Sequence, residues 1–302
     1  MTTENKNGYE FISIVKPFAV ANAIKITSFD DKLVDYINEN GIEQIYIPAQ
    51  LDLQFLLGCP RIRYLVTRIE NNLTPLYEMS DLLMLGLIGS AGESKMVGDF
   101  YIDRLRKLEC FGSPYHKSLK NLGGAKGLKS LALSGYRSEK KDLAEFSELS
   151  NLDTIRLIQG SITSLSGIES LPLLQCLYLD YISSLHDICA LCGLSQTLKL
   201  LRIVKCSGID NYMSLRSLNS LMLLELSNNN SIENVDFLDS MKELNTFICS
   251  MNILDGDLSR CLKLSWVHII PNRKHYTHRD DDFMKIPTLR GNENIDEWRQ
   301  LE

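Results

Sequence analysis

A six-residue motif, apolar-x-x-apolar-x-apolar, recurs along most of this chain at intervals of just over twenty residues, and it restricts the fold more than any other feature. It reads LKSLAL from Leu128, LDTIRL from Leu152, LQCLYL from Leu174, LKLLRI from Leu198 and LMLLEL from Leu221. Those starts lie 24, 22, 24 and 23 residues apart. LNTFIC from Leu244 and LSWVHI from Leu264 continue the series. Backwards it runs through LRKLEC at Leu105, LLMLGL at Leu82, IRYLVT at Ile62, IEQIYI at Ile42 and ANAIKI at Ala21. The spacings there, 21, 20, 20, 23 and 23, leave no room for a large insertion, so the chain holds eleven to twelve units.

So short a unit cannot bury its apolar face alone; its neighbours must cover it. The motif alternates as a strand does, turning its fourth and sixth residues to one face and its third, fifth and seventh to the other. In the unit covering 152–173, Ile162, Leu165, Ile168 and Leu171 then recur every three residues, the spacing of a helical or 3-10 return segment on the same core. A fully buried leucine contributes roughly 1.5–3 kcal/mol, and several per unit offset the ordering entropy. Strands about 4.8 Å apart give twelve units an inner arc of roughly 50–60 Å. Return segments need more room than strands, which predicts an α/β solenoid, a horseshoe with a concave parallel β-sheet and a convex face of loops and short or 3-10 helices. The expected organisation is an N-terminal cap over 1–20, repeats over 21–271, and a C-terminal cap and tail over 272–302, with Trp298 packing on the last unit.

The motifs resemble the leucine-rich-repeat family, and within it the short bacterial repeats of internalin type. The family pattern places Asn or Cys three residues after the last strand leucine. Cys206, Asn229 and Asn252 stand there, whereas Tyr136, Gly160 and Ile182 replace it in the middle units. The resemblance thus implies a partial ladder of buried turn residues. It also implies a capping role for the His-Tyr-x-His segment from His275 to His278.

A working surface is expected on the outward strand positions. From the motif phases these include Lys107, Glu109, Arg156, Tyr178, Asp180, Arg202, Glu225, Trp266 and His268. Arginine and aromatic side chains among Ile158, Leu200, Val204 and Leu223 have the composition of a protein-binding hot spot. The plainer alternative is a solvated sheet whose charges pair across strands.

Chemistry-bearing patterns are sparse. Cys189 and Cys192 form one CxxC without the second pair that a zinc site needs, and both are expected to face the core. His275, His278 and Asp280 read as a solvated cap, and Gly123, Gly124 and Gly127 do not complete the phosphate-loop pattern GxxxxGK[ST] and read as turn glycines. His186 beside Asp187 has no nucleophile partner. No cofactor and no metal are expected. A net charge of −6 and a pI near 5.5 argue against nucleic acid, and no apolar run reaches a membrane span. The polar start lacks a signal-peptide pattern, and eight scattered cysteines read as reduced, mostly buried thiols, so a cytoplasmic location is expected.

The expected function is a non-enzymatic scaffold binding a protein partner on its concave face, in the form of a bacterial immunity or inhibitor protein. The alternatives are a bacterial effector that captures a host protein, and an enzyme with a site in the C-terminal segment.

Overall fold

The computed structural model describes residues 2–14, 20–89 and 95–283, in two compact units that divide between Gly135 and Tyr136. Trp298 lies outside the described residues.

In the first unit, β1 (Thr2–Lys6) and β2 (Tyr9–Ile14) form an antiparallel hairpin. Its turn is Asn7-Gly8, with φ of +52° and +86°, the two left-handed residues that a tight hairpin turn demands. β2 pairs antiparallel with β3 (Val20–Lys25). From β3 onward every neighbour is parallel: β4 (Gln44–Ile47), β5 (Tyr64–Arg68), β6 (Met84–Ile88), β7 (Cys110–Pro114) and β8 (Ser130–Tyr136).

The second unit repeats the arrangement with β9 (Thr154–Gly160), β10 (Cys176–Asp180), β11 (Leu200–Val204), β12 (Leu223–Ser227), β13 (Thr246–Cys249) and β14 (Trp266–Ile269), all parallel in that order. The first return is an α-helix, Leu33–Glu39, and later returns are 3-10 turns such as Ile168–Ser170 and Met213–Ser217. Three residues per 3-10 turn keep every third side chain on one side, which is why the three-residue apolar spacing selects this helix. Ile162, Leu165, Ile168 and Leu171 meet the inward strand residues Ile155 and Leu157 in a core where none is more than 1% exposed.

One motif is out of phase with the sequence reading. Leu85 is in register with Phe111, and Phe111 with Leu131, so the motif of β7 begins at Leu108 and not at Leu105. Phe111 and Ser113 are its buried inward residues. Lys107 and Glu109 therefore do not face outward from a strand; they precede β7, and Cys110, Gly112 and Pro114 take the outward places. The ambiguity of phase has a physical origin. The three-residue rhythm of the return runs into the strand, so Leu105, Leu108 and Phe111 permit two phases. Only the period-two step marks the strand, and here its second member is the polar Ser113.

The turn ladder also differs from expectation. Cys206 is fully buried, with its thiol directed at the Leu179 carbonyl (3.4 Å). Asn229, however, is exposed, and Asn228 is the buried residue, donating from Nδ2 to the Cys206 carbonyl at 2.8 Å. Met251 likewise replaces Asn252 in the core. Lys205, at φ +56°, inserts a left-handed residue before Cys206, whereas plain alternation continues from Leu226 through Ser227 to Asn228. Asn71 in the first unit does ladder work that the three-residue rule misses. It is 1% exposed, accepts from the Leu51 amide at 3.0 Å and donates to the Thr67 hydroxyl at 2.9 Å.

The stacking is tight enough to demand glycine at position 167. Its φ is +112°, and a Cβ there would lie 2.5 Å from the Leu143 carbonyl oxygen of the preceding repeat. Gly167→Ala combines an unfavourable backbone conformation with a backbone clash, and is expected to cost roughly 1–3 kcal/mol. Urea unfolding midpoints measure this; an unchanged midpoint would contradict the packing described.

Candidate functional site

Parallel pairing places the same motif position of successive repeats side by side, so the outward side chains of the second unit form straight rows across the strands. The fifth-position row runs Arg156, Tyr178, Arg202, Glu225, Ile248, His268, each in register with the next. Asp180 stands two residues further along β10, the next outward position, opposite Val204, and Trp266 two residues before His268, opposite Thr246.

Two contacts organise the centre of the row. The Arg156 guanidinium lies 4.3 Å from the centroid of the Tyr178 ring, a cation–π arrangement. Arg202 donates from Nε to Asp180 Oδ1 at 3.1 Å and stands 3.6 Å from Glu225 Oε2. One guanidinium thus binds carboxylates from the strands on both sides. Tyr178 and Asp180 are buried, at 2% and 5% exposure, although an outward sheet position is ordinarily open. Trp266 at the far end is 40% exposed.

Seven of the nine residues expected on this face therefore stand in these rows. Lys107 and Glu109 belong to the first unit and form exposed ion pairs, Lys107 with Asp81 at 2.6 Å and Glu109 with Lys129 at 2.9 Å. The exposed sides of those pairs add little to stability.

Tyr181 was not anticipated. It occupies the eighth motif position, is 57% exposed, and has φ +58°. Gln159 and Lys205 occupy the same position in the neighbouring repeats with φ +59° and +56°. A left-handed backbone is uncommon for such residues. Here it turns the chain out of the sheet while the amides still pair, Tyr181 N donating to Val204 O at 2.7 Å and Lys205 N to Ser227 O at 2.6 Å. A strict period-two reading ends one residue too early to find them.

The other chemical candidates separate. Cys189 and Cys192 are both exposed, not directed into the core as expected. The reason is phase: on the 3-10 helix Cys189–Leu194, Leu191 and Leu194 take the inward side and the two cysteines the outward one. His275 Nε2 contacts the Ile253 carbonyl at 3.0 Å, while His278 Nδ1 contacts its neighbour Thr277. Tyr276 between them is buried, with its hydroxyl accepting from Ile253 N at 3.2 Å. This segment is pinned to the preceding return. His186 Nδ1 contacts the Ser184 carbonyl at 3.2 Å, and Gly123 and Gly124 lie in a 3-10 turn. Among the described residues no group of three or more His, Cys, Asp or Glu is placed to hold a metal ion, and no helix is long and apolar enough to cross a membrane.

An internalin (inlF) from Listeria monocytogenes superposes with a TM-score of 0.57 at 19% identity, over 88% of this chain and 76% of that one. The fold is that of a leucine-rich-repeat solenoid, resembling the internalins. A leucine-rich-repeat protein of Leptospira interrogans matches more loosely, with a TM-score of 0.42 at 14% identity over 81% of this chain and 76% of that one. No protein-family model matches the sequence, and no curated protein does.

Arg202 and Arg156 differ in what they support. Arg202→Glu would set a third carboxylate beside buried Asp180 and part-buried Glu225, at a cost of roughly 3 kcal/mol, the low end for breaking a buried ion pair. Arg156→Glu loses only a ring contact, at a cost of about 1 kcal/mol or less. Thermal melting of the two variants tests this ordering; equal melting temperatures would show that the Arg202 cluster is not structural.

Proposed function

We propose that this protein is a non-enzymatic binding module whose outward sheet face in the second unit holds a protein partner. The observation that carries the reading is the Arg156–Tyr178–Arg202–Glu225 row, a set of aromatic and charged side chains oriented before any partner arrives. Preorganised arginine and aromatic groups are the side chains that dominate protein-binding energetics, because they lose little conformational freedom on contact. Trp266 and Tyr181 add exposed aromatic surface at two edges of the same face. Tyr178 and Asp180 hold their neighbours in place more than they offer contact area, since both are buried.

The acidic balance of the chain favours a protein over a nucleic acid. Within this reading the protein is a cytoplasmic bacterial inhibitor or immunity protein. It would act by stoichiometric capture, with no bond made or broken in the partner.

Arg156 and Trp266 are the contact residues to test, because Arg202 is also structural. A partner captured from the native organism should bind Arg156→Glu or Trp266→Ala roughly 30-fold more weakly. It should bind Arg216→Glu, on a return segment, unchanged. Isothermal titration gives both affinities. Loss of binding in Arg216→Glu with retention in the sheet-face variants would overturn the assignment. Protection of cells against a co-encoded toxin distinguishes an immunity protein from an effector that captures a host protein.

A further inference from the structure

We infer that Cys189 and Cys192 form a surface dithiol that low-molecular-weight disulfides convert reversibly into an intramolecular disulfide, making this return segment a redox-modification site. The site is separate from the sheet face and does not depend on the function proposed for it.

Three observations support it. Both cysteines are exposed, on one 3-10 helix, Cys189–Leu194. Residues three apart eclipse in a 3-10 helix with a rise of about 2 Å each, so the two Cα atoms stand about 6 Å apart on one side of the turn. That Cα separation falls within the range of roughly 4.4–6.8 Å that a disulfide spans, and the two Cβ atoms, stacked at a similar separation, must close to about 3.5–4.5 Å by an adjustment of the turn between its held ends. The turn is also held in place at both ends. Asp187 Oδ1 accepts from the Cys189 amide at 2.9 Å, and Asp187 Oδ2 from Ser164 of the preceding repeat at 2.8 Å. At the other end Gly193 lies so close to Glu169 that an added Cβ would meet the Glu169 Cβ at 2.6 Å.

The remaining cysteines provide the contrast. Burial pushes the thiols of Cys59, Cys176, Cys206 and Cys249 up to about 11, and that of Cys261 up to about 12. They stay protonated and shielded at neutral pH, and the thiolate is the reactive form. Cys110 is half-buried on β7, in the other unit.

The exchange balances in two steps. The thiolate of one cysteine attacks a small-molecule disulfide, forming a mixed disulfide and expelling one thiolate. The second cysteine thiolate attacks the protein sulfur of that mixed disulfide, closing the Cys189–Cys192 bond and expelling the second small thiolate. The two cysteines together lose two protons and two electrons, and one small disulfide becomes two thiols.

Glutathione disulfide, applied to the folded full-length chain, is the test, read by intact mass and peptide mapping. The wild type should lose two hydrogens, carry a Cys189–Cys192 cross-link, and return to its starting mass with dithiothreitol. Cys189→Ser and Cys192→Ser should each retain one stable glutathionyl group on the remaining cysteine, since nothing is present to resolve it. Stable glutathionyl adducts on the wild-type pair, or an unmodified pair, would overturn the inference.

Discussion

The structure depends on one constraint: no repeat can bury its own leucines. Ile155 and Leu157, like Leu177 and Leu179 one repeat on, are completely shielded because strand and return segments from adjacent repeats close over them. The same stacking requires the backbones to approach closely, which is why Gly167 sits against the Leu143 carbonyl. Polar groups at the turns then have to be satisfied from one repeat to the next, and Asn71, Cys206 and Asn228 each bond to backbone of a preceding repeat. Hydrophobic burial sets the spacing of the repeats, and hydrogen bonding sets their registration.

From registration follows the surface. A parallel ladder without offsets brings Arg156, Tyr178, Arg202 and Glu225, which are 22, 24 and 23 residues apart in sequence, onto neighbouring strands. Asp180 and Glu225, on the strands either side of Arg202, hold its guanidinium between two carboxylates. The cluster therefore has a double nature. It fixes its own geometry, and it presents an oriented set of charged and aromatic groups. The outer side of the return segments has a different chemistry, in which the exposed Cys189 and Cys192 stand on a turn whose leucines face inward.

Most of the architecture was legible because the leucine spacing is itself the physical cause of the fold. Eleven of the twelve motif phases coincide with the observed strands. The remaining one, at β7, slipped by three residues, since a polar Ser113 concealed the period-two step and the leucines of the return mimic those of the strand. The site was legible in part. Its members in the second unit follow directly from the motif phase. Lys107 and Glu109 were lost with the phase of their repeat, and Tyr181 escaped notice because a left-handed turn residue lies beyond the alternation. The side taken by the CxxC thiols is hidden in the sequence for a related reason: three-residue spacing shows that they share a face, but not which face it is.

By itself, then, the sequence determined the repeat, the parallel sheet and the inward leucines, because hydrophobic periodicity is a local property that every repeat states again. Tertiary structure decided which outward side chains are open and which are enclosed. It enclosed Tyr178 and Asp180, left Trp266 and the two cysteines exposed, and divided Arg202 between two carboxylates. Those outcomes depend on contacts between side chains more than twenty residues apart, whose distances are set only once the repeats have stacked.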